Sequence, residues 1–160
     1  MIDLKDAANS NETLVLTLIR AMETGELSAA IDEECTDDFV WENSGLDTIK
    51  GRAALFEQMA RGGFASQIPI LKTMTHFSAE LIHIASKSDV VFTERVDHHW
   101  DEEGRDLMTP HICGIAEIRG GKISAFRDYY DVVCYQQEPT EIQEGFDFEA
   151  FRDSQTKGFK

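Results

Sequence analysis

The sequence predicts an α+β fold in which N-terminal helices pack on a long, curved, mixed or antiparallel β-sheet, forming a cone with an apolar pocket. Three observations predict it. Helical periodicity is confined to the first part of the chain, and four long runs of β-forming residues then follow one another. The connections between those runs, "KSD", "DEEGR" and "RGG", are short and turn-rich, as antiparallel neighbours require. Helices followed by strands, rather than alternating with them, exclude a doubly wound architecture.

The elements follow in order. In "NSNETLVLTLIRAMETG", Asn9 with Glu12 three positions later forms a capping-box pattern, Leu14, Leu18, Ala21 and Met22 recur at helical spacing, and Gly25 is a stop. A second helix is expected from about Leu27 through "LSAAIDEEC", a strand near residues 38–42, and a third helix in "GRAALFEQMARGG", carrying Ala54, Leu55 and Met59 before the Gly62-Gly63 stop. The strand candidates are "LKTMTHFSAELIHIAS", "DVVFTERVDHHW", "LMTPHICGIAEI" and "KISAFRDYYDVVCY". Strands of ~10 or more residues exceed the usual length and point to strong curvature. The chain reads as one domain, residues 1–160, with a core over about 9–136. Residues 137–160 form an extension with Phe146, Phe148 and Phe151 among acids, expected either to cover the pocket or to cap the sheet edge. Its last residues are expected to be loose.

Composition narrows the function. The formal net charge of −15 repels phosphate backbones and anionic leaflets, so neither nucleic acid nor membrane is an expected partner. No apolar run approaches the ~20 residues that span a bilayer, and "MIDLKDAANS" lacks the pattern of a secretory signal. Cys35, Cys113 and Cys134 have no CxxC spacing and leave one unpaired, which favours a reducing compartment. The expected location is the cytoplasm.

Charges inside two strand candidates then need an explanation. On a strand, residues two apart share a face, so Arg95 and Asp97 point one way with Val91 and Thr93, while Phe92, Glu94 and Val96 point the other. In "FRDYYD", Phe126, Asp128 and Tyr130 share a face. If the first hairpin turns between Glu103 and Gly104, Arg95 lies across from Ile112. If the second has a three-residue loop around Gly120, Asp128 lies across from Ile112 as well. Arg95 and Asp128 would then flank one residue, with Asp97 a diagonal step away, and a one-residue slip in either hairpin would separate the acids. Two acids competing for one arginine in an apolar pocket can share one proton and titrate as a coupled unit, which suits general acid/base chemistry. The competing account of the same pattern is a set of cross-strand salt bridges on a solvated face.

"TERVD" followed by "FRDYYD" and preceded by "VWEN" resembles the limonene-1,2-epoxide hydrolase family. That family belongs to the cone-shaped NTF2-like, cystatin-like group that includes ketosteroid isomerase and the SnoaL-like polyketide cyclases. The resemblance covers roughly residues 11–136. It implies that Asp97 protonates an epoxide oxygen, that Asp128 deprotonates the attacking water, and that Arg95 bridges them. The family's Tyr-x-Asn, which holds that water, corresponds to Trp41-Glu42-Asn43: Asn43 matches and Trp41 departs. The reaction implied is one-step hydrolysis of a lipophilic epoxide to a vicinal diol, without metal or organic cofactor, in a homodimer.

Phe126, Tyr130, Ile112 and His99 are the expected substrate-pocket residues, with Trp41 and Trp100 as further aromatic wall. His98 and His99 invite a metal, but neighbours on a strand face opposite ways, so no metal site is expected. Two other functions stay open. One is a ketosteroid-isomerase-like or polyketide-cyclase-like enzyme working next to a carbonyl. The other is a non-catalytic small-molecule-binding module, which Trp41 favours.

Overall fold

The first predicted helix forms because its capping and periodicity agree. In a computed structural model that describes residues 1–157, α1 spans Ser10–Thr24. The Asn9 side chain accepts from the backbone N–H of Asn11 and Glu12, and Glu12 reaches back to the N–H of Ala8. This closes a capping arrangement one residue wider than the usual box. α1 buries Val15, Leu16, Leu18 and Ile19. α2 spans Leu27–Glu34 and α3 spans Arg52–Ala60.

The sheet has six strands: β1 (Cys35–Asn43), β2 (Ile49–Lys50), β3 (His76–Lys87), β4 (Val90–Trp100), β5 (His111–Arg119) and β6 (Lys122–Tyr129). Their order is β2-β1-β6-β5-β4-β3. β3 to β6 form the expected antiparallel meander, and β1 joins β6 in parallel, so the sheet is mixed. The helices cover its inner face, where Leu16, Ile19, Ile31, Phe39, Val91 and Ile123 form the core. Alternation on β4 is strict from Val91 to Asp97: Val91, Thr93, Arg95 and Asp97 are buried, while Phe92 is exposed and Glu94 and Val96 are partly so.

Three expectations change. The last strand ends at Tyr129, and Val132–Gln136 turns into a 3-10 helix started by the Asp131 side chain. β2 was not foreseen, being only two residues long. Arg95 pairs with Ile112 as expected, but Asp128 pairs with Gly114, not Ile112. The hairpin is tighter than a three-residue loop: Arg119 pairs with Lys122 across Gly120-Gly121, both at positive φ. A β-bulge then places Ser124 opposite no residue of β5. The turn and the bulge each move the register by one, so Asp128 is displaced by two residues and stays on the inner face.

The extension forms α4 (Phe148–Lys157). Phe146 stacks on Trp100, and Phe148 stacks on His76 with ring centroids 4.0 Å apart. The extension therefore caps the β3–β4 end of the sheet. The expectation of loose final residues concerns, at 158–160, positions outside the described ones.

Candidate active site

A cavity of about 370 Å³ opens between the inner sheet face and α3. Its sheet side carries Trp41 and Asn43 from β1, Phe77 from β3, Asp97 and His99 from β4, and Asp128 from β6. Its other side is built by Leu55 and Met59 of α3 and by the segment 62–74, which folds into 3-10 turns at Phe64–Gln67 and Pro69–Leu71. Apolar walls around a few convergent polar groups are the usual make-up of a small-molecule site.

Arg95 is the largest fully buried side chain. Its Nε donates to Asp97 Oδ1 at 2.8 Å, and its Nη2 donates to Asp97 Oδ2 at 3.2 Å and to Asp128 Oδ2 at 2.5 Å. Nη1 donates to Thr93 Oγ1 at 3.3 Å, and the guanidinium carbon lies 5.5 Å from the Phe126 ring centroid. Gly114 gives this bridge its passage across β5, because a Cβ there would lie 2.6 Å from Nη1 and closer still to Thr93 Oγ1. The solvated salt bridge is thereby excluded: the three charged side chains are 6% exposed or less.

Burial sets the electrostatics. It pushes the Asp97 carboxyl up, with Arg95 partly offsetting the effect. It pushes Asp128 up as well, where Arg95 again opposes and the neighbouring Asp97 charge adds to the rise. For Arg95, burial works against the charge, but Asp128 and Asp97 outweigh it and hold the guanidinium charged. One cation facing two acids that both resist ionisation favours a single shared proton. Asp128 Oδ1 and Trp41 Nε1 are buried and have no partner.

Asn43 pairs with Asp128 in the parallel β1–β6 register, and Trp41 pairs with Phe126. Trp41 is held by Phe39, Phe64 and Phe126, with ring centroids 5.6–5.9 Å away. Tyr130 lines the cavity, and its hydroxyl reaches Asn43 and Tyr135. Burial lowers His99 to about 4, and its Nδ1 lies 2.8 Å from the Met108 carbonyl. The ring is therefore neutral, donates through Nδ1 and offers Nε2 as an acceptor. His98 faces the opposite side, with Nδ1 2.6 Å from Asp106 Oδ2.

Of the expected pocket residues, Tyr130 and His99 line the cavity, whereas Ile112 and Phe126 do not. Ile112 drops out because Asp128 stands across from Gly114, which centres the array two residues further along β5. Phe126 lies behind the array, beneath Arg95 and against Trp41. Trp100 sits on the outer face under the extension. Sequence reasoning did not assign roles to Gly114, Tyr135 or the wall at 62–74. A glycine between alternating inward residues was the signal for the first, while the wall has no periodicity to read.

Residues 9–138 match the family model for the limonene-1,2-epoxide hydrolase catalytic domain. The epoxide hydrolase EphG of Mycobacterium tuberculosis is 28% identical over 102 residues, or 64% of this chain, and the match spans 61% of that relative's length. Among solved structures, an M. tuberculosis LEH-like epoxide hydrolase superposes with a TM-score of 0.63 at 24% identity, covering 79% of this chain and 86% of that one. A putative SnoaL-like polyketide cyclase from Jannaschia sp. CCS1 superposes with 0.62 at 12% identity, covering 79% and 89%. Both structural likenesses show the NTF2-like cone fold.

Proposed function

The chain belongs to the limonene-1,2-epoxide hydrolase family, and from that premise we propose that it adds water to a lipophilic epoxide to give a vicinal diol. The observation that carries this reading is the buried Arg95 held between Asp97 and Asp128 at the floor of an apolar cavity. In the reaction, the shared proton must first cross to Asp97, because in the free protein the Asp97 charge raises Asp128 and both Asp97 oxygens accept from Arg95. Water attacks one ring carbon and forms a C–O bond as the opposite ring C–O bond breaks. Asp97 gives its proton to the departing ring oxygen, and Asp128 takes one from the water through its unpartnered Oδ1. Arg95 stays charged throughout and, bonded to both acids, offsets the negative charge as it passes from Asp128 to Asp97. A proton must return from Asp128 to Asp97 before the next turnover.

Trp41 and Asn43 orient the water. The indole N–H only donates, which suits it to the water oxygen while Asp128 accepts. No metal or organic cofactor takes part. A homodimer and a cytoplasmic location belong to the same proposal, and sedimentation of the purified chain tests the dimer.

The test is a panel of cyclic and styrene-type epoxides with chiral analysis of the diols. The expected result is conversion by the wild type and its loss in Asp97→Asn and in Asp128→Asn. A first turnover in ¹⁸O-labelled water should place the label in the diol and none in the protein. Folded wild type that converts no epoxide would favour a binding module. Conversion that survives both substitutions would overturn the mechanism.

A further inference from the structure

Three short contacts run from the cavity to the backbone. The Tyr135 hydroxyl donates to the Ser44 carbonyl at 2.6 Å, the Tyr130 and Tyr135 hydroxyls are 2.8 Å apart, and the Tyr130 hydroxyl lies 3.3 Å from Asn43 Oδ1. Two phenols own two protons. The Ser44 carbonyl can only accept, so the Tyr135 proton goes there, and the Tyr130 proton must then bridge to Tyr135. The third contact is left oxygen against oxygen, with no hydrogen between. Neither phenol is ionised to change the count, since burial and the neighbouring hydroxyl hold Tyr130 far above an ordinary phenol.

A half-turn of the Asn43 amide about its last side-chain bond supplies the missing proton. The two ends of an amide have nearly the same shape, and the hydrogen-bond network decides between them. With Nδ2 against Tyr130, all three contacts carry a hydrogen: Asn43 to Tyr130, Tyr130 to Tyr135, Tyr135 to Ser44. We propose that Tyr130 and Tyr135 are positioning residues, whose relay turns the Asn43 amide so that its oxygen, not its nitrogen, faces the cavity.

The catalytic consequence rests on the epoxide-hydrolysis reading. Trp41 and Asn43 share one face of β1, and Asn43 stands beside Asp128 in the β1–β6 register. Trp41 can only donate. If the amide nitrogen also donated, both lone pairs of the attacking water would be taken and none would remain for the ring carbon. With the amide oxygen inward, the water gives one hydrogen to Asn43 and the other to Asp128. It accepts from Trp41 on one lone pair and attacks with the second. The relay thus compensates for a donor-only residue at position 41.

Two readouts test this in the full chain with Tyr130→Phe and Tyr135→Phe. The first needs no substrate: NMR of the Asn43 side-chain amide should show a nuclear Overhauser contact between its Nδ2 protons and the Tyr130 ring in the wild type. That contact should weaken in Tyr135→Phe, where Tyr130 is free to donate to Oδ1. Absence of the contact in the wild type would overturn the proposal. The second readout is kinetic: either variant should lose roughly ten-fold in kcat with KM changed by less than about two-fold. An unchanged kcat would remove the catalytic role. Protein that shows the contact but converts no epoxide keeps the amide assignment and sinks only the hydrolysis reading.

Discussion

The guanidinium of Arg95 crosses β5 over Gly114, where a Cβ would lie 2.6 Å from its Nη1 and 3.1 Å from Asp128 Oδ1. Backbone conformation does not require glycine there; space does. Gly114→Ala should therefore leave the sheet intact at a cost of about 1–3 kcal/mol while displacing the bridge between the acids. The expected loss in kcat/KM is roughly 100-fold, the scale of a misplaced catalytic constellation. Turnover within two-fold of wild type, with a normal melting temperature, would show that Arg95 can take another route.

The acid pair sets the pH profile of the proposed reaction. Asp97 must be protonated and Asp128 ionised, so the rate falls at high pH as the pair loses its proton and at low pH as it gains a second. Burial raises both carboxyls, so both limbs of the bell should lie above the ordinary carboxylate range near ~4. An alkaline limb at about pH 4 would contradict a buried pair.

His98 and His99 are neighbours with opposite effects on stability. Asp106 raises His98 by hydrogen bond and charge, against burial. Its contribution is therefore full below the unfolded value near ~6.5 and disappears as pH rises through the folded one. Burial lowers His99 to about 4. Its contribution is present above ~6.5 and is lost as pH falls towards 4, by up to roughly 3 kcal/mol. Urea unfolding from pH 4.5 to 8 should thus lose much of its acid destabilisation in His99→Gln. In His98→Gln, the fall in stability on the alkaline side should shrink instead. Identical profiles for the two variants would refute the assignment.

Phe148 is 7% exposed and stacks on His76, while no described residue of 137–157 lines the cavity. Phe148→Ala should cost about 3 kcal/mol in unfolding free energy and leave KM for any converted epoxide unchanged. A shift in KM without loss of stability would indicate that the extension reaches the pocket after all.

The meander and the inward set on β4 were legible because alternation on a half-buried strand reports facing directly. Asn43 beside Asp128 was not, since parallel pairing of β1 with β6 joins residues 85 positions apart by sequence number with no hairpin to set their register. The Arg95–Ile112 pairing followed from a plausible turn centre, although residues 101–110 form a loop held by Asp101 and not a tight hairpin. The wall at 62–74 was illegible for a different reason. Its 3-10 turns bury Ile68 and Leu71 without a repeat long enough to mark a helix or a strand.

The Gly120-Gly121 turn and the Ser124 bulge act together as a reading frame for β6. Pairing Ser124 with β5 would slip the strand by a single residue and present Arg127 or Tyr129 to the cavity, with Asp128 turned to the outside. Deleting the unpaired Ser124 alone should therefore leave Asp128 across from Gly114, whereas a single residue added to the turn should turn Asp128 outward.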